Sequence, residues 1–330
     1  MRVLVTGSTG ILGRLVVERL LAEGYDVAVV TRRLFAAEAA YAKDPVSIIE
    51  WHPISDPLPD AALDGVEAIV HLAGEPFVGA CTRDQLARLR TSRITIAERL
   101  AAGIRGRQIR VVGASLLLPP ESSGTDHVLT DHSPRPELHS DLARDLLATE
   151  AACNAITASG AGVAIVRLGV VLAPGPLLAA LVRLAERGRV PRLDGALIPA
   201  IAVEDAAALI AGLVSQPQIT GPLIGVAPEP LPGAALSSAL GNLMRVRVAL
   251  PLRRRTLERR IGPIAHLLYN RVRVVPQRLI DAGAGFQHGD LEATLARALS
   301  AVCGAGDADG EANARWRWLS SLLPSRPAQN

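Results

Sequence analysis

Aromatic residues make up only 3% of this 330-residue chain, although 49% of it is hydrophobic. Its core must therefore be built from Ala, Val, Leu and Ile, which suits buried parallel strands flanked by helices. Net charge is scarce too: 35 basic residues against 32 acidic ones leave a formal +3. Such a balance excludes the broad phosphate-neutralising surface of a nucleic-acid binder. Lysine is almost missing, Lys43 being the only one. The three cysteines, Cys81, Cys153 and Cys303, are scattered and odd in number. They read as free thiols of a reducing compartment, and no metal is expected from them or from His127, Asp131 and His132. The longest apolar stretch, 161–182, is broken by Arg167, Pro174 and Pro176, which excludes a membrane-spanning helix. Residues 1–6 already read as a strand, leaving no room for a signal peptide. A soluble, cytoplasmic protein is expected, with a homodimer left open.

What is present alternates. Apolar strands are expected at 2–6, 26–31, 46–51, 66–72, 109–115 and 162–168. Helical periodicity falls at 11–22, 83–102 and 140–159. This βα alternation predicts an α/β fold with a doubly wound parallel sheet of Rossmann type. Beyond residue 172 the pattern loosens into helices at 176–187, 204–215, 233–244, 254–268 and 290–302, separated by short strands and proline-rich turns. We expect a Rossmann domain over 1–172, a smaller α+β lobe over 173–303, and a linker and tail over 304–330. Arg253–Arg255, Arg259 and Arg260 read as a solvated helix face, with an anionic surface as the competing partner.

One loop carries a clear chemical signal. Gly7-Ser8-Thr9-Gly10-Ile11-Leu12-Gly13 joins the first strand to the first helix. Glycine is needed there so that the backbone can turn sharply and approach a diphosphate without a Cβ in the way, while the last glycine lets helix and strand pack closely. The anion then lies over free N–H groups at the positive end of the helix. The second strand ends in Thr31-Arg32-Arg33, where an NAD site would place a carboxylate for the ribose hydroxyl. Two guanidinium groups instead suit a ribose phosphate, so NADP(H) is favoured over NAD(H).

A family resemblance rests on further residues. His71-Leu72-Ala73-Gly74-Glu75-Pro76 and Leu89-Arg90-Thr91-Ser92-Arg93-Ile94 carry it, with 166–172, 221–228, 275–286 and 290–292. Across roughly 1–302 the chain resembles the extended short-chain dehydrogenase/reductases, and more specifically their atypical "epimerase family" branch with a C-terminal domain of unknown function. The resemblance implies that Leu72, Ala73 and Gly74 line the adenine and ribose side. It also implies that Leu168, Gly169 and Val170 approach the nicotinamide.

The usual chemistry of that group is missing. A Tyr-x-x-x-Lys pair normally shuttles the proton, the ammonium lowering the Tyr pKa. Here none of Tyr25, Tyr41 and Tyr269 has a lysine four residues on. His139 and Ala143 stand at the expected positions. The related Ser-Ala-Ser and Gly-Tyr-Tyr-Gly run becomes Gly113–Pro120, leaving Ser115 as a hydroxyl able to meet a substrate carbonyl, and the Trp-Ile-His stretch becomes Ala200-Ile201-Ala202. His139 is a candidate acid or base, against a plain helix-start histidine. Two functions stay open: an oxidoreductase or epimerase-like enzyme on a small, rather apolar carbonyl or alcohol, and a non-catalytic NADP(H)-binding sensor or scaffold.

Overall fold

A computed structural model describes residues 1–79, 82–119, 128–133, 141–154, 162–244 and 254–304. In chain order the first part runs β1 (Arg2–Thr6), α1 (Ile11–Ala22), β2 (Asp26–Thr31), α2 (Leu34–Ala40), β3 (Val46–Glu50), β4 (Val66–His71), α3 (Arg83–Gly103) and β5 (Arg110–Leu116). The short strand β6 (Val128–Thr130) precedes α4 (Asp141–Asn154) and β7 (Val163–Leu168). Then come β8 (Val170–Leu172), α5 (Pro176–Glu186), β9 (Leu197–Ile198), β10 (Ala200–Ala202), α6 (Val203–Val214) and β11 (Gly221–Gly225). The chain continues through β12 (Leu231–Pro232), α7 (Gly233–Met244), α8 (Arg254–Ile261), α9 (Ala265–Leu268), β13 (Arg273–Val275), α10 (Gln277–Asp281) and α11 (Leu291–Cys303).

Seven strands form one sheet in the order β11-β7-β5-β4-β1-β2-β3, every pair parallel. Both faces are covered, so its central strands are valine-rich without alternation, as in the fully buried VLV of β1. On one face Leu15, Val16 and Val17 of α1 and Ala206, Ile210 and Leu213 of α6 seal the sheet. On the other, Ile96, Ala97 and Leu100 of α3 pack on Leu4, Ala28, Ile69 and Val111. A third core lies in the smaller lobe, where Leu178 and Leu181 of α5 meet Leu236, Leu240, Leu257, Ile261, Leu295 and Leu299. Among the described residues no helix is long and apolar enough to cross a membrane.

Three differences from the sequence pattern have physical causes. The seventh strand, β11, and the helix α6 were counted with the C-terminal lobe, yet β11 pairs with β7 and α6 packs on α1. Pro222 removes one ladder donor, which an edge strand tolerates. The helix expected over 254–268 breaks in two, because Gly262 turns with φ +82° and Pro263 follows. Leu34–Ala40 forms an additional short helix between β2 and β3. The end of the helix expected at 140–159, the arginine at 253 and the 305–330 tail lie outside the described residues.

Strand order reverses between β1 and β4, since β1 leads to β2 and β3 on one side and β4 to β5 on the other. A crevice therefore opens at the carboxyl ends of these two strands. The glycine loop and the segment after His71 emerge there together, Thr6 standing beside His71 in register.

Candidate functional site

The crevice has two compartments that meet over the glycine loop. One, of about 440 Å³, is bounded by Thr6–Ile11, the end of β2, and the loops at 51–54 and 72–76. The other, of about 310 Å³, is bounded by the far side of the same loop, the ends of β5 and β7, the start of α5 and Ile264. Gly7, Gly10, Ile11, Leu72, Pro76 and Pro176 face both. A long ligand can thus lie across the loop with one end in each.

The loop is built for close approach. Gly7 sits at φ +73°, and a Cβ there would stand 2.7 Å from the Ala73 nitrogen. A Cβ on Gly13 would collide with the Gly7 carbonyl oxygen. Gly10 begins α1 without any side-chain cap, so the first-turn N–H groups retain their positive end for an anion. The Ser8 hydroxyl is buried with no hydrogen-bond partner. An orphaned donor beside bare helix N–H groups, in a cradle that a Cβ would fill, matches the donor set a dinucleotide diphosphate requires. From behind, the Tyr41 hydroxyl donates to the Ser8 carbonyl at 2.6 Å. Burial pushes Tyr41 up to about 12, so it is a tether for the loop and carries no proton traffic at neutral pH.

Thr6 locks this loop to the next one. Its oxygen accepts from the N–H groups of Leu72 (3.2 Å) and Ala73 (3.1 Å), which leaves its proton for His71 Nδ1 at 2.9 Å. Burial, aided by Arg93, holds His71 down to about 4, so the imidazole is neutral. Its role is structural, in keeping with a strand-end histidine.

At the end of β2, Thr31 accepts from the Arg33 N–H at 3.1 Å and fixes the turn that presents both arginines. Arg32 and Arg33 are exposed, line the larger compartment, and form no ion pair among the described residues. Trp51, Pro53, Ile54 and Ile96 supply an apolar wall that the sequence did not signal. Ile54 is 53% exposed at its lip.

The two separated motifs prove to touch. Ser92 on α3 accepts from the Glu75 N–H at 3.0 Å while donating to the Leu89 carbonyl at 3.0 Å. Arg93 donates from Nη2 to the Glu75 carbonyl at 3.0 Å and lies over the Phe77 ring, 3.9 Å from its centre. Gly74 is small so that this guanidinium can pass beneath it. Burial pulls Arg93 down to about 10. The helix pattern placed Ser92 and Arg93 on α3, but no sequence signal tells which loop lies above them.

At the other end Leu168 and Gly169 line the smaller compartment, whereas Val170 does not. The chain leaves the large sheet at Gly169, where a Cβ would collide with the Pro199 carbonyl, and pairs with β10. Strand alternation then buries Val170 in the small-lobe core and presents Val171. Ser115 lines the same compartment with its hydroxyl buried and unpartnered. Its register neighbour Arg167 is held in a two-pronged pair by the buried Glu150 of α4, at 2.9 and 2.6 Å. Ala200, Ile201 and Ala202 are fully buried in β10. His139 lies outside the described residues.

Comparison with known proteins agrees with this geometry. The model of the NAD dependent epimerase/dehydratase family matches residues 3–218. An epimerase family protein of Mycobacterium tuberculosis is 26% identical over 308 residues, covering 90% of this chain and 97% of the relative. Among solved structures, the human epimerase family protein SDR39U1 (isoform 2), crystallised with NADPH, superposes with a TM-score of 0.70 at 23% identity, over 91% of this chain and 99% of that one. A UDP-N-acetylglucosamine 4-epimerase from Bacillus cereus superposes with a TM-score of 0.67 at 16% identity, over 94% and 99%. At these identities the structural matches establish the fold.

Proposed function

The chain belongs to the NAD dependent epimerase/dehydratase family, and from that premise we propose that its cleft binds NADP(H), with the diphosphate over Gly7–Gly13 and the adenosine phosphate between Arg32 and Arg33. The observation that carries this reading is the pairing of a Cβ-free, uncapped loop with a β2 end that offers two guanidinium groups, unpaired among the described residues, and no carboxylate. A ribose 2′-phosphate there gains charge-assisted hydrogen bonds, and a 2′-hydroxyl finds no carboxylate acceptor. The human relative's NADPH is consistent with the same preference.

A nicotinamide bound this way supplies or accepts hydride in the smaller compartment. There the chain's own contribution is sparse. Ser115 offers one hydroxyl to orient a carbonyl or alcohol oxygen. Lys43, the only lysine, is exposed beyond α2 and belongs to neither compartment. The reading is therefore an atypical oxidoreductase acting on a small, largely apolar carbonyl or alcohol. The apolar lining also favours a second reading, a non-catalytic NADP(H)-binding protein.

Thermal-shift titration with NADPH and NADH tests the cofactor reading. At 100 times its dissociation constant the preferred coenzyme should add about 2.7 kcal/mol of stability. Equal or absent shifts contradict it. Loss of NADPH absorbance across a panel of aliphatic carbonyls separates the two readings: turnover removes the non-catalytic one, and binding without turnover on every member removes the oxidoreductase.

A further inference from the structure

The smaller compartment has an unusual chemical census. Of all the residues lining it, Arg93 and Ser115 alone carry polar side chains; the rest are glycine, proline or hydrocarbon. Leu116, Leu168, Val171, Leu177, Val203 and Ile264 form most of the apolar wall. A sugar placed there would bury several hydroxyls without partners, each at a cost, so this wall rejects polyhydroxylated ligands. At about 310 Å³ the compartment is at the lower end of ligand-site volumes, which start near 300 Å³.

Against that wall stands a buried cation whose hydrogen-bonding capacity is only partly used, the Glu75 carboxylate acting on it without a direct ion pair. Arg93 forms no ion pair among the described residues. Its Nη2 is occupied by the Glu75 carbonyl, its face by Phe77, and its Nε–H is buried with no acceptor. Burial outweighs the favourable Glu75 charge, and an anion arriving at the unmet Nε–H recovers part of that cost. The depressed ionisation of the guanidinium fits the same picture. The unpartnered Ser115 hydroxyl is the second unmet donor in the same space.

Resting on the NADP(H) reading, we infer that the smaller compartment selects a small aliphatic carboxylate, with Arg93 taking the carboxylate and Ser115 an adjacent carbonyl or hydroxyl oxygen. Two unmet donor groups match a planar two-oxygen anion with one neighbouring oxygen, whereas a phosphoryl group brings three acceptors and more charge than they satisfy. The hydrocarbon wall receives the chain. Arg93 lines this compartment and not the adenosine one, which leaves the coenzyme's ribose phosphate to Arg32 and Arg33.

The test uses the full chain saturated with NADP+ and isothermal titration of four probes: 2-oxohexanoate, hexanoate, 2-hexanone and UDP-glucose. Both carboxylates should bind, with 2-hexanone and UDP-glucose weaker by at least about 10-fold. Arg93→Gln should weaken both carboxylates by about 30-fold, the worth of charged hydrogen bonds, while NADPH affinity changes by less than about 3-fold. Arg93→Lys, which keeps a charge, should restore part of the loss and guards against a folding defect in the first variant. Ser115→Ala should weaken 2-oxohexanoate more than hexanoate. Equal binding of ketone and oxo acid, preference for UDP-glucose, or an Arg93→Gln loss that falls equally on NADPH would overturn the inference; in the last case the guanidinium belongs to the coenzyme diphosphate. NADPH binding without carboxylate selection removes this inference alone. No NADPH binding removes the proposed function and this inference with it.

Discussion

The two compartments that share the glycine loop are built on different terms. The larger one is assembled from residues whose chemistry is stated in the chain itself: glycines at forced positions, a hydroxyl that fixes a turn, and two arginines facing solvent. The smaller one is hydrocarbon interrupted by one hydroxyl and one guanidinium. One half of the crevice is specified by a motif and the other by how little polarity lines it. On the proposed reading, coenzyme binding and substrate choice are separable, and single substitutions should affect one without the other.

The largest effect is expected beneath the substrate side. Glu150→Ala leaves the Arg167 guanidinium without its buried carboxylate, beside Ser115 on the neighbouring strand. Breaking such a pair costs about 3–5 kcal/mol, to be read as a lowered denaturant midpoint. Coenzyme affinity, measured below the transition, should be nearly unchanged. A matching loss of affinity would show that the compartments are not independent.

Behind the glycine loop, the buried His71 should make stability acid-sensitive. His71 is held near 4 when folded and titrates near its ordinary 6.5 when unfolded. Between those values the unfolded chain binds a proton that the folded one refuses, so stability rises with pH. The contribution is complete above about pH 6.5 and is lost progressively down to about pH 4, amounting to on the order of 3 kcal/mol. His71→Asn should flatten that window in a pH series of urea melts. An unchanged profile would mean that His71 is protonated in the fold.

Within the loop, Gly13→Ala forces Gly7 out of its position and should cost about 1–3 kcal/mol through overcrowding. That loss should weaken coenzyme more than a carboxylate probe. The smallest effect belongs to the adenosine end. Arg32→Asp should lower the NADPH to NADH affinity ratio by about 10-fold, one charged hydrogen bond's worth. Equal loss for both coenzymes would contradict the phosphate clamp.

How much of this was legible in the chain follows the same division. The glycine spacing, the strand-loop-helix context and Thr31-Arg32-Arg33 are local, and local chemistry survives translation from sequence to structure. Valine-rich runs announced the buried strands for a related reason, since a strand covered on both faces needs no alternation. Non-local features stayed hidden. Arg93 sits eighteen residues from the Glu75 carbonyl it binds, and nothing in the periodicity of α3 foretells that contact. Trp51, read as a strand end, turns out to line the larger compartment. The register of Val170 was missed because the chain changes sheets at Gly169, so the face it presents depends on β10, thirty residues later. β11 was grouped with the C-terminal lobe because its partner β7 lies more than fifty residues away, and a glycine-proline pair split the helix after Arg254.

Isothermal titration of NADPH into the wild-type chain and into Gly13→Val, with circular dichroism confirming that both are folded, bears most directly on the cleft. One saturable site in the wild type, abolished in the variant, is the expected result. A wild type that takes up no NADPH, or a folded variant that binds it equally well, would mean that the bare amides and Ser8 hydroxyl serve something other than a dinucleotide.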